Sequence, residues 1–365
     1  MLEMNEMLKI VVERDGSDLH ISVGKQPVMR LHGTLDILDP NVLTPEDSDR
    51  LMREITPPRY QQMIQETGGA DFAYAYSDMA RFRCAVFRAR GNISIVMRLI
   101  PSRILTFDQL GLPRDSILEV LGAHRGLVLV TGPTGSGKTT SLATMIDWIN
   151  AERYCHIITV EDPLEYTHPH KKAIVTHREL HVDTPSFSFA LRGALRQDPD
   201  VILVGEMRDL ETMEAGITAA ETGHLVFGTL HTISASETIN RIIDAFPVNQ
   251  QEQMRAVLSV ALRTVIAQTL LPRASGRGRV AAYEILHNTP AVANLIREKK
   301  TNRLISTIQT SAKMGMITMD DYLMNLYKQG IISGEVCLER CHYPSEMREK
   351  MMGLLADQGE EEEEQ

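Results

Sequence analysis

The chain has 365 residues, 43% of them hydrophobic and 24% charged, which suits folded domains and excludes a disordered protein. Its formal net charge of −10 argues against a dedicated nucleic-acid binder, since such proteins carry a basic surface for phosphates. Four scattered cysteines, Cys84, Cys155, Cys337 and Cys341, exclude a disulfide framework in a chain this long.

The first nine residues carry Glu3 and Glu6 where a signal peptide wants positive charge. No run reaches the ~18 apolar residues needed to span a bilayer. The best candidate, 256–271, is interrupted by Arg263 and Gln268. The reading is a cytoplasmic protein with no direct membrane insertion. Leu2, Met7, Ile10 and Val11 fall at helical spacing. Gly16-Ser17-Asp18 punctuates the chain, and 19–23 and 28–31 read as short strands. Thr44-Pro45-Glu46-Asp47 opens a helix: threonine caps, proline fits the first turn and the acids suit the positive helix end. Residues 70–76 and 80–99 are rich in aromatic and β-branched residues, and alternation in 80–99 predicts two strands around Arg90-Gly91-Asn92. Residues 1–100 thus predict a small α+β domain. Residues 101–113, bounded by Pro101 and Pro113 and containing Gly111, read as a linker or hinge.

From Asp115 the texture changes. Residues 126–130, 156–160, 201–204 and 225–229 are short, nearly unbroken apolar runs separated by helix-like segments. That pattern predicts a parallel sheet covered on both faces. After Leu271 the sheet pattern fades; 280–286 reads as a last strand and 290–353 as mostly helical. The second domain is expected over 114–356. The glutamate run Glu360–Glu364 makes 357–365 an acidic, disordered tail. Cys337, Cys341 and His342 lie close together but supply too few ligands for tetrahedral zinc.

Chemistry enters at Gly132-Pro133-Thr134-Gly135-Ser136-Gly137-Lys138-Thr139, which fits the P-loop pattern in full and continues into Thr140. It follows the predicted strand 127–130 and opens a predicted helix over 139–150. Glycines let backbone amides turn inward around phosphate oxygens, and the helix adds its positive end. Lys138 can neutralise the β- and γ-phosphates, and the Thr139 hydroxyl can ligate Mg²⁺.

Such a site needs carboxylates for Mg²⁺ and for the attacking water. Asp200-Val201-Ile202-Leu203-Val204-Gly205-Glu206 is an apolar strand ending in an acid at the edge where α/β sheets bind ligands, so Glu206 is the first choice for metal and water. A second strand, 156–160, runs into Glu161, Asp162 and Glu165; Glu165 and Asp162 are candidates and Glu161 is equally suited to a structural role. Residues 222–232 place His224 and His231 on either side of a strand; taken alone, each reads more readily as a structural histidine. His168, His170, His177 and His181 read as solvated residues of a polar connector. Arg81, Arg83, Arg88 and Arg98 are candidate arginine fingers whose simpler reading is the polar face of two strands.

Together these residues resemble the PilT family of type IV pilus retraction motors, within the larger secretion ATPase superfamily. The likeness is carried by the P-loop, 132–140, and by the acidic box Thr159-Val160-Glu161-Asp162-Pro163-Leu164-Glu165. It is carried equally by the stretch 198–209, reading DPDVILVGEMRD, and by the histidine box, 222–232. Gly16-Ser17-Asp18-Leu19-His20 and Ala291-Val292-Ala293-Asn294-Leu295-Ile296-Arg297-Glu298 also match, so the resemblance covers nearly the whole chain. It implies an α/β fold class: a PAS-like N-terminal domain and a RecA-like P-loop ATPase domain with a C-terminal helical cap. It implies ATP and Mg²⁺ as cofactors and a homohexamer binding ATP between neighbours. It also implies an inner-membrane pilus platform protein and a paralogous motor as partners, and no stable nucleic acid. Residue by residue it makes Glu206 the catalytic glutamate, Glu165 an acidic-box participant, and His224 and His231 site residues. It makes Arg81, Arg83 and Arg98 arginines that reach the nucleotide. Val292 and Ala293 stand where the family usually carries Ile and Arg, and Thr139 replaces the commoner Ser. The function implied is ATP hydrolysis driving pilus retraction and twitching motility. The alternatives are a pilus-assembly or type II secretion ATPase, or a RecA-like DNA translocase.

Overall fold

The computed structural model describes residues 3–31, 33–76, 80–100 and 103–363, with side chains as far as Leu354. It divides into two compact units, Met1–Ile104 with Pro163–Thr167, and Leu105–Asp162 with His168–Gln365.

The first unit is a six-stranded antiparallel sheet in the order β3-β2-β1-β6-β5-β4. Its strands are β1 (Asp18–Ser22), β2 (Val28–Leu31), β3 (Thr34–Ile37), β4 (Gly69–Tyr76), β5 (Ala80–Ala89) and β6 (Asn92–Ile100). Alternate residues Leu19, Ile21, Met29, Phe72, Phe82, Cys84, Ile95 and Met97 face one core. That core is closed by Met4, Met7, Leu8 and Val11 of the helix Met4–Glu13, and by Leu51, Ile55 and Ile64 of the helices Pro45–Ile55 and Pro58–Thr67. Period-two burial on one face and helical burial opposite it is what the sequence pattern demands. The helix Pro45–Ile55 starts as expected: the Thr44 side chain accepts from the Asp47 amide and Asp47 answers to the Thr44 amide. The β5–β6 hairpin turns at Arg90 and Gly91, both with positive φ.

The second unit is a seven-stranded sheet in the order β13-β12-β7-β11-β10-β8-β9. Strands β7 (Gly126–Thr131), β8 (His156–Glu161), β9 (Ile174–Glu179), β10 (Val201–Val204), β11 (Leu225–Leu230) and β12 (Leu262–Pro272) run parallel, and β13 (Arg279–His287) pairs antiparallel with β12. Strands β7, β10 and β11 are buried at every residue, as unbroken apolar runs require, between two hydrophobic layers. Among the described residues no helix is long and apolar enough to cross a membrane.

Four differences from the sequence reading have physical reasons. The expected linker 101–113 shrinks: Pro101 lies outside the described residues, and Phe107, Leu110 and Leu112 are buried in the core of the second unit. Tyr283 Oη donates to Leu110 O (3.1 Å) and Thr144 Oγ1 to Leu105 O (2.7 Å), which fixes this stretch to the sheet domain. Strand β12 is absent from the sequence reading because it follows the helix Gln251–Ala261 with no intervening turn residue, so helix and strand read as one apolar run. The expected disordered tail is helical to Glu363, within the helix Pro344–Glu363; glutamate is a good helix former and no proline interrupts the run. Glu364 and Gln365 lie outside the described residues. Finally, His168 and His177 are no solvated pair. His168 is 5% exposed and stacks on His177 at 5.8 Å, and its amide donates to His177 Nε2 (3.0 Å). Burial, then the neighbouring His177 charge, pushes the His168 imidazole down to about 4.

Candidate nucleotide-binding and catalytic site

The parallel register aligns the ends of four strands on one edge. Leu230 of β11 pairs with Thr131 of β7, and Val204 of β10 pairs with both Gly228 of β11 and Val160 of β8. The P-loop therefore leaves β7, Glu161 closes β8, Glu206 follows β10 and His231 follows β11, all on the C-terminal edge where open α/β sheets hold ligands.

The loop geometry is fixed by contact with β12. Gly132 has φ +141, and a Cβ there would lie 2.1 Å from the Gln268 carbonyl oxygen, so only glycine fits. Gln268 is itself buried in β12, and its Oε1 accepts from Ser141 Oγ (2.8 Å), pinning the P-loop helix to the sheet. That helix, Lys138–Glu152, starts at Gly137 with no side-chain cap, leaving its first amides available to an anion. The Ser136 hydroxyl is buried with no partner among the described residues. Lys138 Nζ donates to the Gly132 and Pro133 carbonyls at 2.7 and 3.1 Å, folded over the phosphate position. Thr139 and Thr140 follow in the first helical turn, half-buried.

Glu206 sits on a turn stitched to both neighbours of β10. Gly205 N donates to Val160 O (2.8 Å), Thr229 Oγ1 donates to Gly205 O (2.5 Å) and Met207 N donates to Thr229 O (3.0 Å). Met207 is buried against Gly228, where a Cβ would meet its sulfur at 2.4 Å. Anchoring Met207 inward leaves the preceding Glu206 to project at the edge. Glu206 Oε1 accepts from Arg208 Nε (2.5 Å) and from His231 Nε2 (2.8 Å). A carboxylate only accepts, so His231 carries its proton on Nε2. Burial alone would raise the Glu206 carboxyl; the Arg208 hydrogen bond and charge, then His231, outweigh it and hold the group below the usual range. The result is an ionised carboxylate with both of these bonds on one oxygen.

The other predicted residues are dispersed. His224 precedes β11, whose first residue pairs with Gly126 at the start of β7, so it stands at the opposite edge of the sheet. Six strand residues separate it from His231, roughly 20 Å at strand rise. There its Nδ1 lies 2.9 Å from Ala219 O, tying the end of the helix Leu210–Glu221 to the strand. Within one chain His224 does not join the P-loop. Asp162 is exposed just past β8, and its charge acts on Arg208. Glu161 is buried. Glu165 is half-buried in the segment that groups with the first unit. In that unit Arg83 pairs across strands with Arg98, and Arg98 with Asp18. Arg98 Nε donates to Asp18 Oδ1 (2.9 Å), so this guanidinium is already engaged by a carboxylate. Arg81 and Arg83 lie on the same outward face of β5.

Two functional residues escaped the sequence reading. Arg208 lay inside the quoted stretch, two positions after Glu206, and the alternation of acid and base was its only signal. Gln268 was visible as an amide interrupting an apolar run, the mark of a buried polar residue with a partner.

A triphosphate cradle beside an ionised carboxylate on a parallel sheet defines a P-loop ATPase. The model of the type II/IV secretion system protein family matches residues 4–289. The chain is 46% identical over 343 residues to the type IV pilus retractation ATPase PilT of Pseudomonas aeruginosa, covering 94% of this chain and 99% of that one. It is 45% identical over 321 residues to a twitching motility protein of Neisseria gonorrhoeae, covering 88% and 86%. A crystal structure of the pilus retraction motor PilT with bound ADP superposes with a TM-score of 0.89 at 48% identity, covering 95% of this chain and 99% of that one. The chain belongs to the type II/IV secretion system protein family, in its PilT branch, and it is an ATPase with an N-terminal and an ATPase domain.

Proposed function

We propose that this chain is a motor that hydrolyses ATP to ADP and phosphate and thereby retracts a type IV pilus, powering twitching motility. The observation that carries the reading is the Glu206 carboxylate, kept ionised by Arg208 and His231 on the same sheet edge as an uncapped P-loop helix. The names of two similar relatives, a type IV pilus retractation ATPase and a twitching motility protein, support the cellular role.

The triphosphate lies along the amides of 135–139, and Lys138 exchanges its carbonyl partners for phosphate oxygens. The Thr139 hydroxyl and Glu206 carboxylate are hard oxygen donors of the kind magnesium takes, and they would hold it. Bound Mg²⁺ supplies neutralisation of phosphate charge. Glu206 orients the attacking water and draws its proton, while His231 and Arg208 fix the carboxylate. Arg81, Arg83 and Arg98 are the guanidinium candidates for completing the phosphate site in an assembled ring, and Glu165 and Asp162 the further acids. We assign the working form as a homohexamer in the cytoplasm, peripheral at the inner membrane through a pilus platform protein, with a paralogous motor as a second partner. No stable nucleic-acid partner and no membrane insertion enter this reading.

The test is a deletion strain, complemented by the purified protein's phosphate release. Retraction predicts abundant surface pili without movement. A strain with no pili would replace retraction by assembly, and DNA-stimulated hydrolysis would replace both by a translocase.

A further inference from the structure

A second carboxylate, Glu284 of β13, is only 2% exposed. Its Oε1 accepts from the Ala235 amide at 2.8 Å, and the Met319 amide also acts on it, favouring the ionised form. Ala235 and Met319 are the first residues of the helices Ala235–Asp244 and Met319–Lys328. One buried carboxyl thus faces two helix starts, each with orphan amide donors and a positive dipole end. Its pairing neighbour across β12 is Ala267, which offers no charge. The charged groups acting on it are His342, which favours the ionised form, and Asp320, which opposes it; the His342 amide donates to Asp320 Oδ1 (2.7 Å).

The helix Ala235–Asp244 begins four residues after His231. Between them, Thr232 Oγ1 is 2.7 Å from Thr238 Oγ1, and Thr238 donates to Ser234 O at the same distance. Thr238 also lies 3.5 Å from the hydroxyl of Thr131, the residue before the P-loop. These hydroxyls are buried, so the path from the P-loop base to the His231 segment is closed to water and hangs on the position of this one helix start.

We propose that Glu284 is a positioning residue for hydrolysis: by holding the Ala235 amide it sets the helix start that aims His231 at Glu206. The proposal rests on the reading of Glu206 and His231 given above. A carboxylate can serve two amides at once; an amide side chain offers one acceptor and must turn a donor toward one of the two helices. Burial raises the Glu284 carboxyl, with the Ala235 amide, His342 and the Met319 amide opposing in that order. Acidification therefore protonates it in the folded protein and removes an acceptor.

The experiment compares Glu284→Gln with wild type in steady-state ATP hydrolysis across a pH series. At neutral pH kcat is expected to fall about tenfold, the effect of one lost charge-assisted hydrogen bond, with KM for ATP within about twofold. The wild-type to Glu284→Gln ratio of kcat should shrink toward one as pH falls through the Glu284 titration. Thr238→Val, nearly isosteric, should lower kcat in the same direction while keeping the wild-type pH dependence, and it serves if Glu284→Gln does not fold. Wild-type kcat in either variant, a change confined to KM, or a pH-independent ratio would overturn the proposal. An active Glu206→Gln enzyme would instead remove the underlying catalytic reading, whereas an inactive Glu206→Gln beside a fully active Glu284→Gln sinks the positioning role alone.

Discussion

The two edges of the seven-stranded sheet are built from the same strands and do opposite things. At the C-terminal edge each chain segment leaves its strand with polar groups turned outward: the uncapped P-loop helix, the ionised Glu206, Arg208 and His231. At the N-terminal edge the polar groups turn on one another. His224 is bonded to Ala219 O, the His156 amide to Asp200 Oδ2 at 2.8 Å, and Arg263 Nε to Arg125 O at 3.0 Å. Parallel strands create this asymmetry, because every strand presents amide-rich, helix-starting loops on one edge and helix ends on the other. Two histidines flanking one strand are thus placed on opposite edges by strand direction alone.

Three substitutions sharpen that comparison, from the largest effect to the smallest. Glu206→Gln keeps the shape of the C-terminal edge but removes the charge and the proton acceptor. Phosphate release should fall by about 10²- to 10⁴-fold while ATP is still retained, since general-base and water-positioning groups contribute on that scale. Normal turnover by this variant would take catalysis away from Glu206. His231→Ala removes one of the two donors on that carboxylate and should cost about tenfold in kcat, the worth of a hydrogen bond to a charged group. His224→Ala, at the other edge, should change single-subunit ATP affinity by less than about twofold, as surface substitutions away from a site do. A His224→Ala loss of kcat equal to that of His231→Ala would erase the distinction between the edges.

Much of this was legible in the residues. The P-loop, the strand into Glu206 and the alternating strands of the first sheet are local patterns, and local patterns survive folding. The likeness to known motors made His224 and His231 equivalent, but strand direction separates them. Register, which no single segment encodes, decides which residues share an edge. Strand β12 was hidden by the missing turn before it, and with it the contact of Gln268 with Gly132, which is a long-range one. The stretch 101–113 read as a linker or hinge from its prolines and glycine, yet Phe107, Leu110 and Leu112 have a core to enter. Arg208 could be assigned no role until the turn at 205–207 was seen to point Glu206 toward it.

The most direct test is a crystal structure of the protein with Mg²⁺ and a non-hydrolysable ATP analogue. The account predicts the triphosphate on the amides of 135–139, with Lys138 released from the Gly132 and Pro133 carbonyls and Glu206 facing the γ-phosphate. A triphosphate seated away from these amides, or Lys138 still bonded to its own loop, would contradict it.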